Sequence, residues 1–219
     1  MAVSEVYNED CMIGMARYPD NYFELAIVDP PYGIGKRILG TWGKKTGMNN
    51  AVRWDNIVDK KYFNKLFRVS KNQILWGANY YINYLYPSMG VVCWDKMNGT
   101  NNLSDFEFAW TSFNEKTARI FRMHHFSEGY DKKIHPTQKP VALYKWLLRN
   151  YAKEGDKILD THAGSCSSVI ACIDSGFDWM AFEIDPDYYK AAIERINNHV
   201  KQGDLFNENK QDNIQTSLL

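Results

Sequence analysis

Short apolar runs, each closed by a polar or proline-bearing turn, alternate along this chain with stretches whose apolar residues return every three or four positions. The clearest run is Leu25-Ala26-Ile27-Val28, which leads straight into Asp29-Pro30-Pro31-Tyr32-Gly33. An unbroken apolar run of this length predicts a strand buried on both faces, as in a parallel sheet. Pro30 and Pro31 end it, because they offer no N–H to the ladder and hold φ at about −65°. Asp29, Pro30 and Tyr32 are thereby delivered at the carboxyl end of a central strand, where open α/β sheets bind ligands. Taken alone, a strand followed by a Pro-Pro turn and a partly exposed tyrosine explains the stretch equally well.

The pattern elsewhere predicts a short first strand, a helix at 12–17 and strand 24–29. It continues with a helix at 59–69, strand 73–76, a helix at 78–86 and strand 90–94. Strands at 106–110 and Arg119–Arg122 follow. A helix at 140–151 opens on Pro140, a good first helical residue. Strand Lys157–Asp160, helix Ser167–Ser175, strand 179–184 and a helix at 186–200 opened by Pro186 complete the order. Residues 202–219 read as a polar, flexible tail. Strands alternate with helices in the last third and no linker divides the chain. This predicts a single α/β domain over 1–201, with a mixed, mostly parallel sheet and helices on both faces.

The 219 residues suffice for one such domain, and 15% of them are aromatic, with seven Trp and fourteen Tyr. Such rings fill cores and also stack on bases. Cys11, Cys93, Cys166 and Cys172 show neither metal-ligand nor disulfide spacing, so no metal is expected. No apolar run reaches the length of a membrane span and no signal peptide is evident, which makes the cytosol the expected compartment. The formal net charge of zero hides an asymmetry. Lys36, Arg37, Lys44, Lys45, Arg53, Lys60, Lys61, Lys65, Arg68 and Lys71 face only Asp55 and Asp59 in the same stretch. Acids outnumber bases after Asp174. A basic segment directly after the Pro-Pro turn suits a polyanion at that end of the sheet, although most such runs are ordinary solvated surface.

A second constellation is Ile158-Leu159-Asp160-Thr161-His162-Ala163-Gly164-Ser165, a strand running into a small-residue turn and a helix start. Such a turn admits a ligand close to the backbone and aims helix N–H groups at it. Some twenty residues on, strand Trp179-Met180-Ala181-Phe182 ends in Glu183. That is the layout in which an acid accepts hydrogen bonds from ribose hydroxyls. The turn lacks both GxGxxG and a P-loop lysine, so a nucleoside cofactor without phosphates fits better than NAD or ATP. A third segment, Ile134-His135-Pro136-Thr137-Gln138-Lys139-Pro140, is a proline-ordered loop before a helix.

Together, Asp29-Pro30-Pro31-Tyr32, His135-Pro136-Thr137-Gln138-Lys139-Pro140, the Asp160–Ser165 turn and Glu183 resemble the amino-methylating DNA methyltransferases that use S-adenosylmethionine (AdoMet). The order, catalytic segment first and AdoMet loop last, is similar to the circularly permuted beta group. Gly77-Ala78-Asn79-Tyr80 and Trp94-Asp95-Lys96 look like small phage and prophage members, including those of restriction–modification systems. The resemblance implies a Rossmann-like AdoMet-dependent fold and a bacterial or phage-infected host. Its catalytic residues would be Asp29, Pro30, Pro31 and Tyr32. Asp10, Asp29, His135, Thr137, Lys139, Asp160, His162, Ala163, Gly164, Ser165 and Glu183 would form the cofactor pocket. Lys36, Arg37, Lys44, Lys45 and Arg53 would meet DNA phosphates, in recognition insertions at about 34–56 and 98–133. So short a recognition region implies an undemanding target or a second copy of the chain in a homodimer.

The tetrapeptide and motif order resemble adenine-N6 enzymes more than cytosine-N4 enzymes, both of which stay open. Transfer to RNA or to a protein glutamine, and a silent DNA-binding relative, are the other readings. The family usually has a ring where His162 stands and a second glycine where Cys166 stands, so a Cβ at Cys166 is expected to crowd the cofactor. Gln202, Leu205 and Phe206 resemble a peptide that docks into bacterial sliding clamps. A polar tail with a stray apolar pair is the commoner explanation of those three.

Overall fold

The computed structural model describes residues 4–34, 55–99, 104–124 and 133–216, with side chains as far as Gly203. Its strands are β1 (Glu5–Tyr7), β2 (Phe23–Val28), β3 (Ser70–Trp76), β4 (Val91–Asp95), β5 (Phe106–Thr111), β6 (Arg119–Arg122), β7 (Lys157–Asp160) and β8 (Asp178–Phe182). The α-helices are α1 (Cys11–Ala16), α2 (Lys60–Val69), α3 (Val141–Tyr151), α4 (Ser167–Ser175) and α5 (Pro186–Thr216). One sheet runs β1-β8-β7-β2-β3-β5-β4-β6, and among the described strands β5 alone lies antiparallel to its neighbours. The mixed, mostly parallel Rossmann-like sheet expected from the sequence is therefore present.

The run at 25–28 is buried on both faces, as its composition requires. Leu25 and Ile27 join the core under α3 and α4, with Leu143, Leu147, Val169 and Ile170. Ala26 and Val28 pack on the opposite face with Met15, Phe63 and Leu66 of α1 and α2. Each fully buried apolar side chain of this size contributes about 1.5–3 kcal/mol. Asp59 caps α2 by accepting from the Lys61 and Tyr62 N–H groups at 2.8 and 3.4 Å. Several bases of the 36–71 stretch are bound to the fold. Lys65 reaches the Met12 carbonyl, Arg68 reaches Met15 and Tyr18, and Lys71 pairs with Glu24.

Three expectations change. The helix expected at 78–86 is two separate 3-10 turns, Ala78–Tyr80 and Ile82–Tyr84. Its aromatic residues do not fall on one helical face. Gly77 enters in the left-handed region at φ 66°, and Tyr81 breaks the run at φ −123°. The last helix continues past 200 to Thr216, so residues 202–216 are not a structureless tail. Glu, Gln, Lys and Leu favour helix, and Gly203 alone costs only about 1 kcal/mol. The clamp-like segment lies within this helix, and the side chains of Leu205 and Phe206 fall outside the described residues. Finally, β5 and β6 build sheet within 98–133, so much of that region is scaffold rather than insertion.

Among the described residues no helix is long and apolar enough to cross a membrane. No cluster of three or more His, Cys, Asp or Glu among them could hold a metal ion.

Candidate active site

β7 and β2 are parallel neighbours at the centre of the sheet. From β2 the chain crosses α2 to β3 on one side, and from β7 it crosses α4 to β8 on the other. The two crossovers diverge here, which opens a crevice at the carboxyl ends of the strands. Asp29 follows β2 at this point and Asp160 ends β7. Residues 131 positions apart thus reach one place because the sheet makes their strands adjacent.

Asp29 is closely held. Its Oδ1 accepts from the Tyr32 hydroxyl and its Oδ2 is paired with the Lys139 ammonium. Burial raises its pKa, the Glu107 charge adds to that, and Lys139 opposes both. The Tyr32 ring is stacked on Tyr80, with centroids 4.7 Å apart and planes 10° from parallel. Gly77 makes that position possible, since a Cβ there would come within 2.0 Å of the Tyr32 ring. The Tyr81 hydroxyl donates to the Pro31 carbonyl and ties the Pro-Pro turn to the 3-10 segment.

Beside Asp29 opens a cavity of about 460 Å³, a size suited to a cofactor. Asp29, Asp10, His135, Thr137, Lys139, His162, Ala163, Gly164, Ser165 and Glu183 all line it, so one cavity gathers three distant stretches of the sequence. Glu183 accepts from the Gly164 N–H at 2.7 Å and the Asp185 N–H at 2.8 Å, and burial pushes its pKa up to about 7. Among the described residues this buried carboxylate has backbone donors but no cation, and its remaining lone pairs suit a ribose diol. Asp10 caps α1 through the Met12 N–H at 2.8 Å, at the rim of the same cavity. Burial holds both His135 and His162 neutral, each at about 3, with the Lys139 charge adding to the effect at His135. His162 stands edge-on to Tyr62 and bonds the Thr161 hydroxyl at 2.9 Å, so the imidazole forms a neutral aromatic wall of the cavity.

Asp160 ends β7 below the cavity; its carboxylate accepts from the His162 N–H at 3.0 Å and from the Ser168 hydroxyl, and so shapes the turn. Cys166 stands outside the residues that line the cavity. It adopts the left-handed region at φ 56°, costing about 1–2 kcal/mol against glycine, and is fully buried in the core under the sheet. Lys36, Arg37, Lys44, Lys45 and Arg53 lie outside the described residues. Glu107, Tyr62, Tyr80 and Tyr144 were not anticipated. For Glu107 the available signal was a lone acid in an otherwise apolar strand.

A family model described as DNA methylase matches residues 41–194. The DNA adenine methyltransferase YhdJ of Escherichia coli K12 is 34% identical over 87% of this chain and 82% of its own length. The chain belongs to the N6/N4 DNA methylase family. Within it, the order of catalytic segment and cofactor loop is that of the beta group of amino DNA methyltransferases, whose methyl donor is S-adenosylmethionine. Solved structures show the same fold. The M1.HpyAVI–SAM complex superposes with a TM-score of 0.60 at 19% identity, covering 87% of this chain and 98% of that one. The cytosine-N4-specific PvuII DNA methyltransferase also gives 0.60, at 14% identity and 92% and 93% coverage.

Proposed function

We propose that this DNA methyltransferase acts on the N6 amine of adenine, and that Asp29, Pro30, Pro31 and Tyr32 carry the chemistry. The observation behind the reading is that Asp29 and Glu183 line one cavity, so a site for the amine adjoins a site for a ribose. The Asp-Pro-Pro-Tyr tetrapeptide and the 34% identity to a DNA adenine methyltransferase favour adenine over cytosine.

S-adenosylmethionine, when bound, supplies the methyl group from its sulfonium. Glu183 would hold the ribose hydroxyls. Asp10, His135, Thr137, His162, Ala163, Gly164 and Ser165 would shape the rest of the pocket. An exocyclic amine is a poor nucleophile because its lone pair is delocalised into the ring. Asp29 and the Pro30 carbonyl are acceptors that draw its two N–H bonds out of the ring plane and free the lone pair. The amine nitrogen would take the methyl with the S–C electron pair kept by sulfur, and the proton shed by the methylated amine would pass to Asp29 and on to solvent. The amine is buried in the duplex, so the base must flip out, with the Tyr32 ring as its stacking platform. The amine then takes the Asp29 Oδ1 that Tyr32 occupies in the free protein. Lys36, Arg37, Lys44, Lys45 and Arg53 would neutralise phosphates, so DNA affinity falls steeply with salt.

The deciding experiment incubates the protein with labelled AdoMet and unmethylated DNA, then identifies the product nucleoside by mass. N6-methyladenine is expected. N4-methylcytosine would overturn the choice of base, and no methylated base would overturn the reading.

Gly77→Ala tests the platform. The added Cβ meets the Tyr32 ring and the residue keeps a left-handed φ, at about 1–2 kcal/mol of strain. Methyl transfer is expected to fall about tenfold or more, because small displacements at the reacting centre are costly. AdoMet affinity by calorimetry should stay within a few-fold. Unchanged turnover would mean that Tyr32 need not hold this position.

A further inference from the structure

Lys139 is a cation with almost no water, its side chain being 1% exposed. It lies among the cavity residues, yet its partners belong to the protein: Asp29 after β2, and Glu107 of β5 at 2.9 Å. The Trp76 ring of β3 lies 5.4 Å beneath it. One ammonium between two carboxylates leaves a net negative charge, which is expensive in so dry a place. Lys96, at the end of β4, removes it by pairing with the other oxygen of Glu107 at 2.6 Å. Asp29, Lys139, Glu107 and Lys96 therefore form a neutral alternating chain across β2, the loop before α3, β5 and β4. The transfer chemistry engages only the first of them.

We propose that Glu107 and Lys96 are positioning residues for methyl transfer: Glu107 seats Lys139 against Oδ2 of Asp29 and so keeps that carboxylate aimed, with Oδ1 left for the target amine, while Lys96 offsets the Glu107 charge that would otherwise oppose an anionic Asp29. This rests on Asp29 being the amine acceptor. The geometry gives Lys139 a task other than binding cofactor. Without Glu107 the ammonium would have one anchor and freedom to turn into the cavity. Without Lys96, Glu107 would compete for Lys139 with an uncompensated charge. Among the described residues the other ionisable groups facing the chain are Tyr32, on Asp29 itself, Tyr81 beside it, Tyr144 of α3, Asp160 of β7, His135, and Lys133 near Glu107 and Lys96.

The test is the pH profile of kcat at saturating DNA and AdoMet for the full chain and for Glu107→Gln and Lys96→Met. In Glu107→Gln the amide oxygen still accepts from Lys139 while the negative charge beside the Asp29–Lys139 pair is gone, so the acid limb should move down by about one pH unit. Lys96→Met removes a positive one, so its limb should move up. Plateau kcat should fall about tenfold in both, with AdoMet affinity by calorimetry within about threefold. Shifts of opposite sign cannot come from general loosening of the fold. Limbs that stay put or move together would overturn the proposal, as would a loss of AdoMet affinity with kcat unchanged. Should Glu107→Gln fail to fold, Lys96→Met decides alone: an upward limb supports the proposal, and any other result overturns it. The wild-type protein and Asp29→Asn separate this from the reading beneath it. No transfer by the wild type, or full transfer by Asp29→Asn, removes the amine-acceptor role, whereas active variants with unmoved limbs remove only the positioning role.

Discussion

Asp29→Ala is expected to cut methyl transfer by about 10³-fold or more, the scale of losing a preorganised polar group aimed at developing charge, while AdoMet binds within about threefold. The reason is local. As the amine attacks, positive charge builds on its nitrogen, and Asp29 is the carboxylate at this end of the cavity. Its side chain keeps 16% of its surface open, enough to receive a donor but not to be solvated as in bulk water. The variant should fold, because Lys139 still pairs with Glu107 and Glu107 with Lys96. Single-turnover transfer of labelled methyl, set beside calorimetry with AdoMet, separates the two effects. Transfer within tenfold of wild type would assign the acceptor role elsewhere.

Glu183→Gln is expected to weaken AdoMet about 100-fold. A carboxylate can accept from both ribose hydroxyls while keeping its backbone donors, and each charge-assisted hydrogen bond is worth about 1.5–3 kcal/mol. Losing about 2.8 kcal/mol is a hundredfold in affinity. The same group makes binding pH-dependent. Burial raises Glu183 to about 7, and only its ionised form accepts from both hydroxyls, so AdoMet should bind more tightly as pH rises from 6 to 8. The glutamine variant should lose that slope. Folding stability without AdoMet runs the other way. A carboxyl group whose pKa is raised on folding holds its proton more tightly in the folded state, so its contribution falls as pH climbs from the ordinary carboxylate value through about 7. Asp160, which burial lifts to about 6, acts in the same direction. Melting curves at pH 5 and 8, with and without AdoMet, should show a larger cofactor-induced rise at the higher pH. An equal rise at both would place the ribose on another group.

The sequence by itself determined those features that chain-local physics controls. An apolar run ended by two prolines reads as a buried strand delivering its last polar residue to the carboxyl end of the sheet, so Asp29 was legible. The strand, small-residue turn, helix and terminal acid from Lys157 to Glu183 were legible for the same reason: period, turn chemistry and capping act within a few residues. Because those signals belong to a family, they also carried the fold, the cofactor class and the DNA substrate. Only the tertiary structure decided what each polar group meets. Lys139 reads in sequence as part of a cofactor loop, yet it lies on Asp29, 110 residues away, and on Glu107 from the reversed strand β5. Cys166 reads as an obstruction, and a left-handed φ turns its side chain into the core. Gly77 reads in sequence only as part of a family-like Gly-Ala-Asn-Tyr stretch, and its missing Cβ is the space that the Tyr32 ring fills. In each case the deciding neighbour is distant in the chain, and only strand order and register bring it within reach.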